Sequence, residues 1–176
     1  FRDEDARADR SPGEFYQLDI EMSFVDQSNV FDVVEKLMVK LFKNFSSKKM
    51  LYDKFPKIKY NDALMMYGSD KPDLRNPLKI YEITDIFSRD DVKFDIFKKL
   101  VKKGSIVRGI VTKQTSNQPR SFFDNIDKWA KTEGASGLAY FTIEKDKIIS
   151  GKGPVGKFFS EKSLKEIMKI TSAELG

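Results

Sequence analysis

The 176-residue chain has no cysteine and no histidine. Those two absences remove thiol nucleophiles, disulfides, zinc–thiolate sites and histidine general bases from its chemistry. No metal ligand set is assigned among its residues. A cysteine-free chain is compatible with a reducing, cytoplasmic setting. No apolar run approaches the roughly 18 residues of a membrane span, and the opening Phe1-Arg-Asp-Glu-Asp5 is too charged for a secretory signal. No membrane partner is expected. Disorder is excluded by composition, since 40% of the residues are hydrophobic beside 34% charged. The length suits one ordinary domain, or part of one with a small second. The 32 Lys and Arg against 27 Asp and Glu leave a net charge of +5. That modest basic excess suits a nucleic-acid partner, and its lysine dominance also fits AT-rich coding bias. There is no initiator Met, and Phe1 opens inside a strand pattern. The chain therefore reads as a piece of a longer protein.

What is present is organised around the first two dozen residues. From Glu14 to Phe24 the side chains alternate by the strand rule. Tyr16, Leu18, Ile20, Met22 and Phe24 take one face, and Phe15, Gln17, Asp19, Glu21 and Ser23 the other. Arg2 and Glu4 share a face of a shorter extended piece, and Arg10-Ser-Pro-Gly13 reads as the tip of a hairpin between the two. Paired in antiparallel fashion, the strands would bring a guanidinium and several carboxylates onto one polar surface. Solvated polar faces are common on antiparallel sheets, so the alternation alone assigns no function.

Beyond the hairpin, Ser28 is placed to cap a helix to Phe45, with Val30, Phe31, Val34, Leu37, Met38, Leu41, Phe42 and Phe45 in one stripe. Lys48 to Lys54 reads as a polar turn or connector. A short helix from Asn61 to Tyr67 ends at Gly68, and Ser69-Asp-Lys-Pro-Asp-Leu-Arg75 has loop chemistry. Pro77 marks a boundary. After it, Ile80 to Phe87 reads as extended, Asp91 to Lys102 as a helix, and Ser105 to Thr112 as a strand. A helix capped by Ser121 carries Phe122, Phe123, Ile126, Trp129 and Ala130, with Trp129 expected in the core. Strands follow over Gly137–Ile143 and Ile148–Ile149 with a turn at Asp146, and a last helix runs from Ser160 to Ile170. The fold class is α+β, divided as 1–77, 78–160 and 161–176.

Gly151-Lys-Gly-Pro-Val-Gly-Lys157 fits the spacing of a phosphate-cradling P-loop. The next residue must be Ser or Thr to hold magnesium, and it is Phe158. No parallel βαβ context or later Walker-B aspartate accompanies it. The stretch reads as a glycine-rich connector.

Phe1-Arg-Asp-Glu-Asp5, Arg7-Ala-Asp-Arg10 and Glu14 to Phe24 resemble motif 2 of the class II aminoacyl-tRNA synthetases, in the version of the bacterial-type aspartyl-tRNA synthetase family. Phe55-Pro-Lys-Ile-Lys-Tyr60-Asn-Asp-Ala63 and Tyr67-Gly-Ser-Asp-Lys-Pro-Asp-Leu-Arg75 resemble the segment that follows it. Residues 78–160 look like that family's GAD insertion domain, chiefly at Gly134-Ala-Ser-Gly-Leu138 and Gly153-Pro-Val-Gly-Lys-Phe158, and 161–176 like the helix returning to the catalytic domain. The resemblance implies part of an antiparallel-sheet catalytic domain plus the small insertion domain. It implies aspartate activation with ATP, expected with Mg2+, and transfer to tRNA, with tRNA(Asn) left open beside tRNA(Asp). It implies a homodimer in the full-length protein and a cytoplasmic location. By the same resemblance Arg2 is the catalytic residue gripping the α-phosphate and the aspartate carboxylate. Asp3 and Glu4 flank ATP; Gln17, Asp19 and Glu21 receive aspartate; Arg7 and Arg10 meet the tRNA acceptor end. The loop 69–75 would border the aspartate and adenylate pocket. Motifs 1 and 3 and the anticodon-binding barrel are not recognisable, so this stretch alone is expected to be inactive. The competing reading is a non-catalytic RNA-binding or interaction module, although the chain lacks the aromatic-basic pattern of an RRM and the GXXG loop of a KH domain.

Overall fold

A computed structural model describes residues 13–52, 54–145 and 147–175, together with the backbone of Arg2 and Asp3. The chain forms two compact units, Phe1–Lys57 and Ile58–Gly176. The elements are α helices and short antiparallel strand pairs, as an α+β chain requires.

In the first unit, β1 (Arg2–Asp3) pairs with β2 (Glu14–Phe15) in antiparallel register, Arg2 opposite Phe15 and Asp3 opposite Glu14. The ladder stops there. The alternating run predicts a strand to Phe24, but Tyr16 to Met22 carries no strand. Its apolar side chains stand in solvent, with Tyr16 90%, Leu18 73% and Ile20 53% exposed. Alternation expresses how a segment would pack once it has neighbours, and a ladder needs partner backbone to form. No described residue supplies it to 18–22. The segment ends where Phe24 takes a left-handed φ of 57°.

Helix α1 (Gln27–Phe45) follows. Its N-cap is Asp26 rather than Ser28, in extended backbone, and the Asn29 side-chain oxygen accepts the Asp26 N–H at 2.9 Å. That bond satisfies a backbone donor at the helix entrance. The apolar stripe is present, yet no residue of α1 is buried. The chain after the helix returns along it. Glu35 Oε2 accepts the Phe55 N–H at 2.9 Å, and the Lys57 ammonium lies 5.4 Å from the Phe31 ring centre.

The second unit has the core. Helix α2 (Tyr60–Tyr67) closes on Gly68 in the left-handed conformation at φ 70°. Strand β3 (Ile80–Glu82) pairs antiparallel with β4 (Arg108–Ile110), Tyr81 opposite Gly109. Between them lie α3 (Thr84–Ser88) and α4 (Asp95–Lys102). Helix α5 (Arg120–Thr132) is followed by the hairpin β5 (Thr142–Lys145) and β6 (Ile149–Lys152), a 3₁₀ turn over Gly156–Phe158, and α6 (Glu161–Thr171). Ile83, Ile86, Phe87, Val92, Ile143, Val155, Phe159, Leu164 and Ile167 form one buried cluster. The last helix thus shares its core with residues 83–159.

Aromatic rings fill much of that core. Phe87 stacks on Phe97 at 5.1 Å and meets Phe159 edge-on at 5.4 Å, while Phe94 stacks on both Phe97 and Phe158 at 4.5 and 4.7 Å. A polar clasp ties residues 89–93 to 158–163. Arg89 grips Asp91 at 2.8 and 3.2 Å, Asp91 also accepts the Ser160 hydroxyl, and Lys93 N–H donates to the Phe158 carbonyl at 2.8 Å. Ser160 caps α6 by accepting the Ser163 N–H at 3.1 Å. The Arg89 guanidinium, then the Ser160 hydroxyl, holds the Asp91 carboxyl down at about 2.

Several expectations shift here. The extended reading of 80–87 gives way to a helical turn after Glu82, because Ile86 and Phe87 are both buried. Consecutive residues on a strand face opposite sides, whereas a helical turn can bury two neighbours. Accordingly the helix expected from Asp91 begins at Asp95. The strand of 105–112 shortens to three residues, and that of 137–143 moves to 142–145. The N-cap position of α5 is Pro119 rather than Ser121, and no side chain caps the helix there. Trp129 is 63% exposed and outside the core. Phe123, half-buried and stacked on Tyr140 at 4.2 Å, and the buried Ala130 mark the inward face of α5, and at 100° per residue Trp129 falls well away from it.

The glycine-rich stretch has a packing explanation. A Cβ on Gly151 would lie 2.7 Å from the Gly156 carbonyl oxygen, and one on Gly156 would lie 2.5 Å from the Gly151 carbonyl carbon. Two backbones cross where only hydrogens fit.

Candidate functional site

The residues expected to carry chemistry fall into three groups. Glu4, Arg7 and Arg10 lie outside the described residues. Arg2 and Asp3 are placed by backbone, in β1, with Arg2 across the ladder from Phe15 and so two positions before Gln17 on the opposing chain. Gln17, Asp19 and Glu21 are described in full and are exposed.

Gln17 and Asp19 are joined. The Gln17 amide nitrogen donates to Asp19 Oδ1 at 2.7 Å. This bond holds two residues of spacing two on one side of the extended chain, and it uses one carboxylate oxygen. The second oxygen of Asp19 and the amide oxygen of Gln17 remain as acceptors. An amide and a carboxylate side by side suit an alkylammonium group, which has three donors and no acceptor. Glu21 is exposed and is bonded to no described residue, so the structure does not tie it to this pair.

The loop 69–75 belongs to the second unit, and its charges are engaged with one another. Arg75 Nε meets Asp73 Oδ1 at 2.8 Å and Oδ2 at 3.1 Å, and its Nη2 reaches Oδ2 at 2.5 Å. The Arg75 N–H donates to the same carboxylate at 3.0 Å. Hydrogen bonds from the Arg75 side chain, then its backbone, bring the Asp73 carboxyl down to about 2. Lys71 pairs with Asp70 at 3.0 Å, and its N–H donates to the Ser69 hydroxyl at 3.1 Å. Asn76 Oδ1 accepts the Leu78 N–H at 3.0 Å. These bonds fix the loop's shape. Residue types showed the density of charge here, but the Asp73–Arg75 fork was missed. An i, i+2 acid–arginine spacing in a proline-containing turn is the signal that could have found it.

No group of three or more Asp and Glu residues poised to hold a metal ion occurs among the described residues. No helix among them is long and apolar enough to cross a membrane.

A short antiparallel strand pair carrying an arginine, followed by an amide–carboxylate pair on extended chain, is the arrangement expected of the class II synthetases. Comparison with known proteins shows the family. The family model for class II tRNA synthetases (D, K and N) matches residues 1–167, and the chain belongs to that family. All 176 residues are 72% identical to part of an aspartate–tRNA(Asp/Asn) ligase from Pelagibacter ubique (strain HTCC1062), covering 30% of that protein. They are 54% identical to a protein of the same name from Ehrlichia canis (strain Jake), covering 29% of it. Another of that name, from Methylorubrum populi (strain ATCC BAA-705 / NCIMB 13946 / BJ001), is 50% identical over 177 aligned residues and is covered to 29%. The chain thus spans about 30% of the length of the curated relatives it matches.

Proposed function

We infer that the chain is the motif 2 portion, with the GAD insertion domain, of an aspartate–tRNA ligase. The observation that carries the reading is 72% identity along the entire chain to a protein so named. The Gln17–Asp19 pair supports it locally. In this reading the aspartate carboxylate attacks the α-phosphorus of ATP and diphosphate leaves, giving aspartyl-adenylate. The tRNA terminal adenosine then takes the acyl group and AMP leaves. Neither step needs a side-chain nucleophile, which agrees with a chain free of cysteine and histidine. Catalysis rests on positioning and on charge stabilisation at phosphorus.

Arg2 grips the α-phosphate and the substrate carboxylate, a forked task that suits guanidinium better than ammonium. Asp3 and Glu4 flank ATP. Gln17 and Asp19 receive the α-ammonium of aspartate, with Glu21 completing their polar face. Arg7 and Arg10 meet the tRNA acceptor end. Mg2+ would accompany ATP, where it would neutralise charge on the phosphates; the described residues offer no cluster of three or more carboxylates for it. The tRNA partners are tRNA(Asp) and, following the relatives' printed name, tRNA(Asn). The full-length protein acts as a cytoplasmic homodimer. Residues 78–160 are the insertion, from which 161–176 leads back to the catalytic domain. The reading also accounts for the exposed stripe of Tyr16, Leu18 and Ile20, which in a protein of the relatives' length gains the neighbouring strands of a catalytic sheet.

The test is aspartate-dependent diphosphate exchange by the full-length protein carrying Asp19→Asn. Removing the ammonium's charged partner should raise the KM for aspartate more than it lowers kcat. An unchanged KM would remove Asp19 from the substrate site.

A further inference from the structure

The net charge of the chain resides in its second unit. Residues 58–176 hold 22 Lys and Arg against 16 Asp and Glu, while residues 1–57 hold 10 against 11. Within the second unit the densest basic stretch is the end of α4, where four of the six residues 98–103 are lysine. Phe97 and Val101 turn inward onto the phenylalanine core. Lys99, Lys102 and Lys103 are exposed on the opposite side.

Two lysines on other helices of this unit pair with carboxylates four residues earlier, Lys131 with Asp127 at 2.6 Å and Lys165 with Glu161 at 2.8 Å, whereas α4 has no such pair among its lysines. Asp95 stands at that spacing before Lys99, and no ion pair forms between them. Among the described residues none of Lys99, Lys102 and Lys103 has a carboxylate within 4.0 Å. The helix macrodipole favours cations in a last turn. It does not explain why Ile96, Leu100 and Ile106 are left 66%, 45% and 56% exposed beside them.

We propose that this outer face of α4 binds the sugar–phosphate backbone of base-paired RNA. Three uncompensated ammonium groups along about one helical turn, some 6 Å of rise, match a line of phosphates on one strand. The exposed aliphatic chains beside them can pack on ribose. Bases are not read, because the face has no aromatic ring for stacking, and stacking platforms define single-strand sites. Helical RNA is gripped through backbone and shape. A membrane fits less well. Interfacial helices need a broad apolar face free to enter lipid, and the principal apolar face of α4 is spent on the core. The proposal rests on the function above only for naming the RNA as tRNA.

The experiment compares the full-length protein with two triple variants of equal charge change, Lys99→Gln/Lys102→Gln/Lys103→Gln on α4 and Lys162→Gln/Lys165→Gln/Lys169→Gln on α6. Binding of tRNA transcript and of a plain RNA duplex is measured from 50 to 200 mM salt, beside vesicles containing phosphatidylglycerol. The α4 variant should lose about tenfold or more in RNA affinity, and its log K against log salt slope should fall by about two to three, near one for each lysine removed. The α6 variant should change far less, and diphosphate exchange without tRNA should be normal in both. Equal losses in the two variants, no loss in the α4 variant, or a loss confined to vesicles would overturn the proposal. Absence of aspartate-dependent exchange in the unmodified protein would instead sink the enzymatic reading, while the RNA comparison would still be read out.

Discussion

The two units differ in what their apolar residues achieve. In Ile58–Gly176 a buried cluster contains Val92 and Leu164 at 0% exposure, with Ile86 and Ile167 nearly as deep. In Phe1–Lys57 the 19-residue helix α1 buries none of its residues despite a regular apolar stripe, and the segment from Tyr16 to Phe24 holds its apolar face in solvent. Apolar periodicity is thus present in both units, but among the described residues burial is present in one. The first unit carries residues proposed for chemistry, and the second supplies its own stability. An alternating segment can be specified in a sequence without being stabilised by the residues nearest to it.

The largest effect expected of this contrast concerns side-chain truncation. Leu164→Ala should cost about 3–4 kcal/mol, within the range for emptying a packed leucine site, read from denaturant melts of the 176-residue chain. Leu41→Ala on α1, at a position 41% exposed, should cost under about 1 kcal/mol in the same chain, because little area is uncovered. Its cost should rise in the full-length protein. Equal costs for the two variants in the 176-residue chain would break the comparison.

Next in size is Gly151→Ala. The added methyl meets the Gly156 backbone at 2.7–3.1 Å, and the hairpin β5–β6 must shift to admit it. A loss of about 2–3 kcal/mol is expected, typical of overpacking. A melt unchanged from wild type would show that the two chains separate freely there.

The clasp around Asp91 should appear as a pH dependence. Its carboxyl is held down at about 2 in the folded chain, below the unfolded value of about 3.9. The unfolded state therefore binds the proton first as pH falls. The stabilisation from Asp91 is complete above about pH 4 and is lost as the pH drops toward 2. Asp91→Asn should flatten that part of the stability curve, and Ser160→Ala should cost about 1 kcal/mol through loss of the α6 cap. The smallest effect is expected for Trp129→Ala, within about 1 kcal/mol in melts, because the indole is mostly solvated.

How much of this was legible in the sequence follows the same division. The helices α1, α5 and α6 were legible from a 3.6-residue stripe and α2 from its stop at Gly68 in left-handed conformation, although the start signals read at Ser28 and Ser121 lie two residues past the N-caps of α1 and α5. Strand extents were not, because a strand is defined by its partner; Leu18 and Ile20 alternate correctly and pair with nothing described. Trp129 was misplaced because large aromatics usually pack, whereas Phe123 and Ala130 define the inward face of α5. The α3 turn was missed although Ile83, Ile86 and Phe87 stand at the helical spacing i, i+3, i+4, because the run is too short for the period to stand out. The sequence placed Gln17 and Asp19 at spacing two on one face without foreseeing the bond between them. The Asp73–Arg75 fork lay within a loop whose chemistry was noted without its pairing.

The most direct test of the central claim, that the strand bearing Arg2 is the catalytic one, is diphosphate exchange by the full-length protein with Arg2→Ala and Arg2→Lys. Loss of a charge-assisted donor at a reacting phosphate should lower kcat/KM by about 10²–10³, roughly 3–4 kcal/mol. Lysine should restore little, because one ammonium cannot bridge phosphate and carboxylate together. A near-normal kcat/KM for Arg2→Ala would contradict the assignment, however closely the chain matches its family.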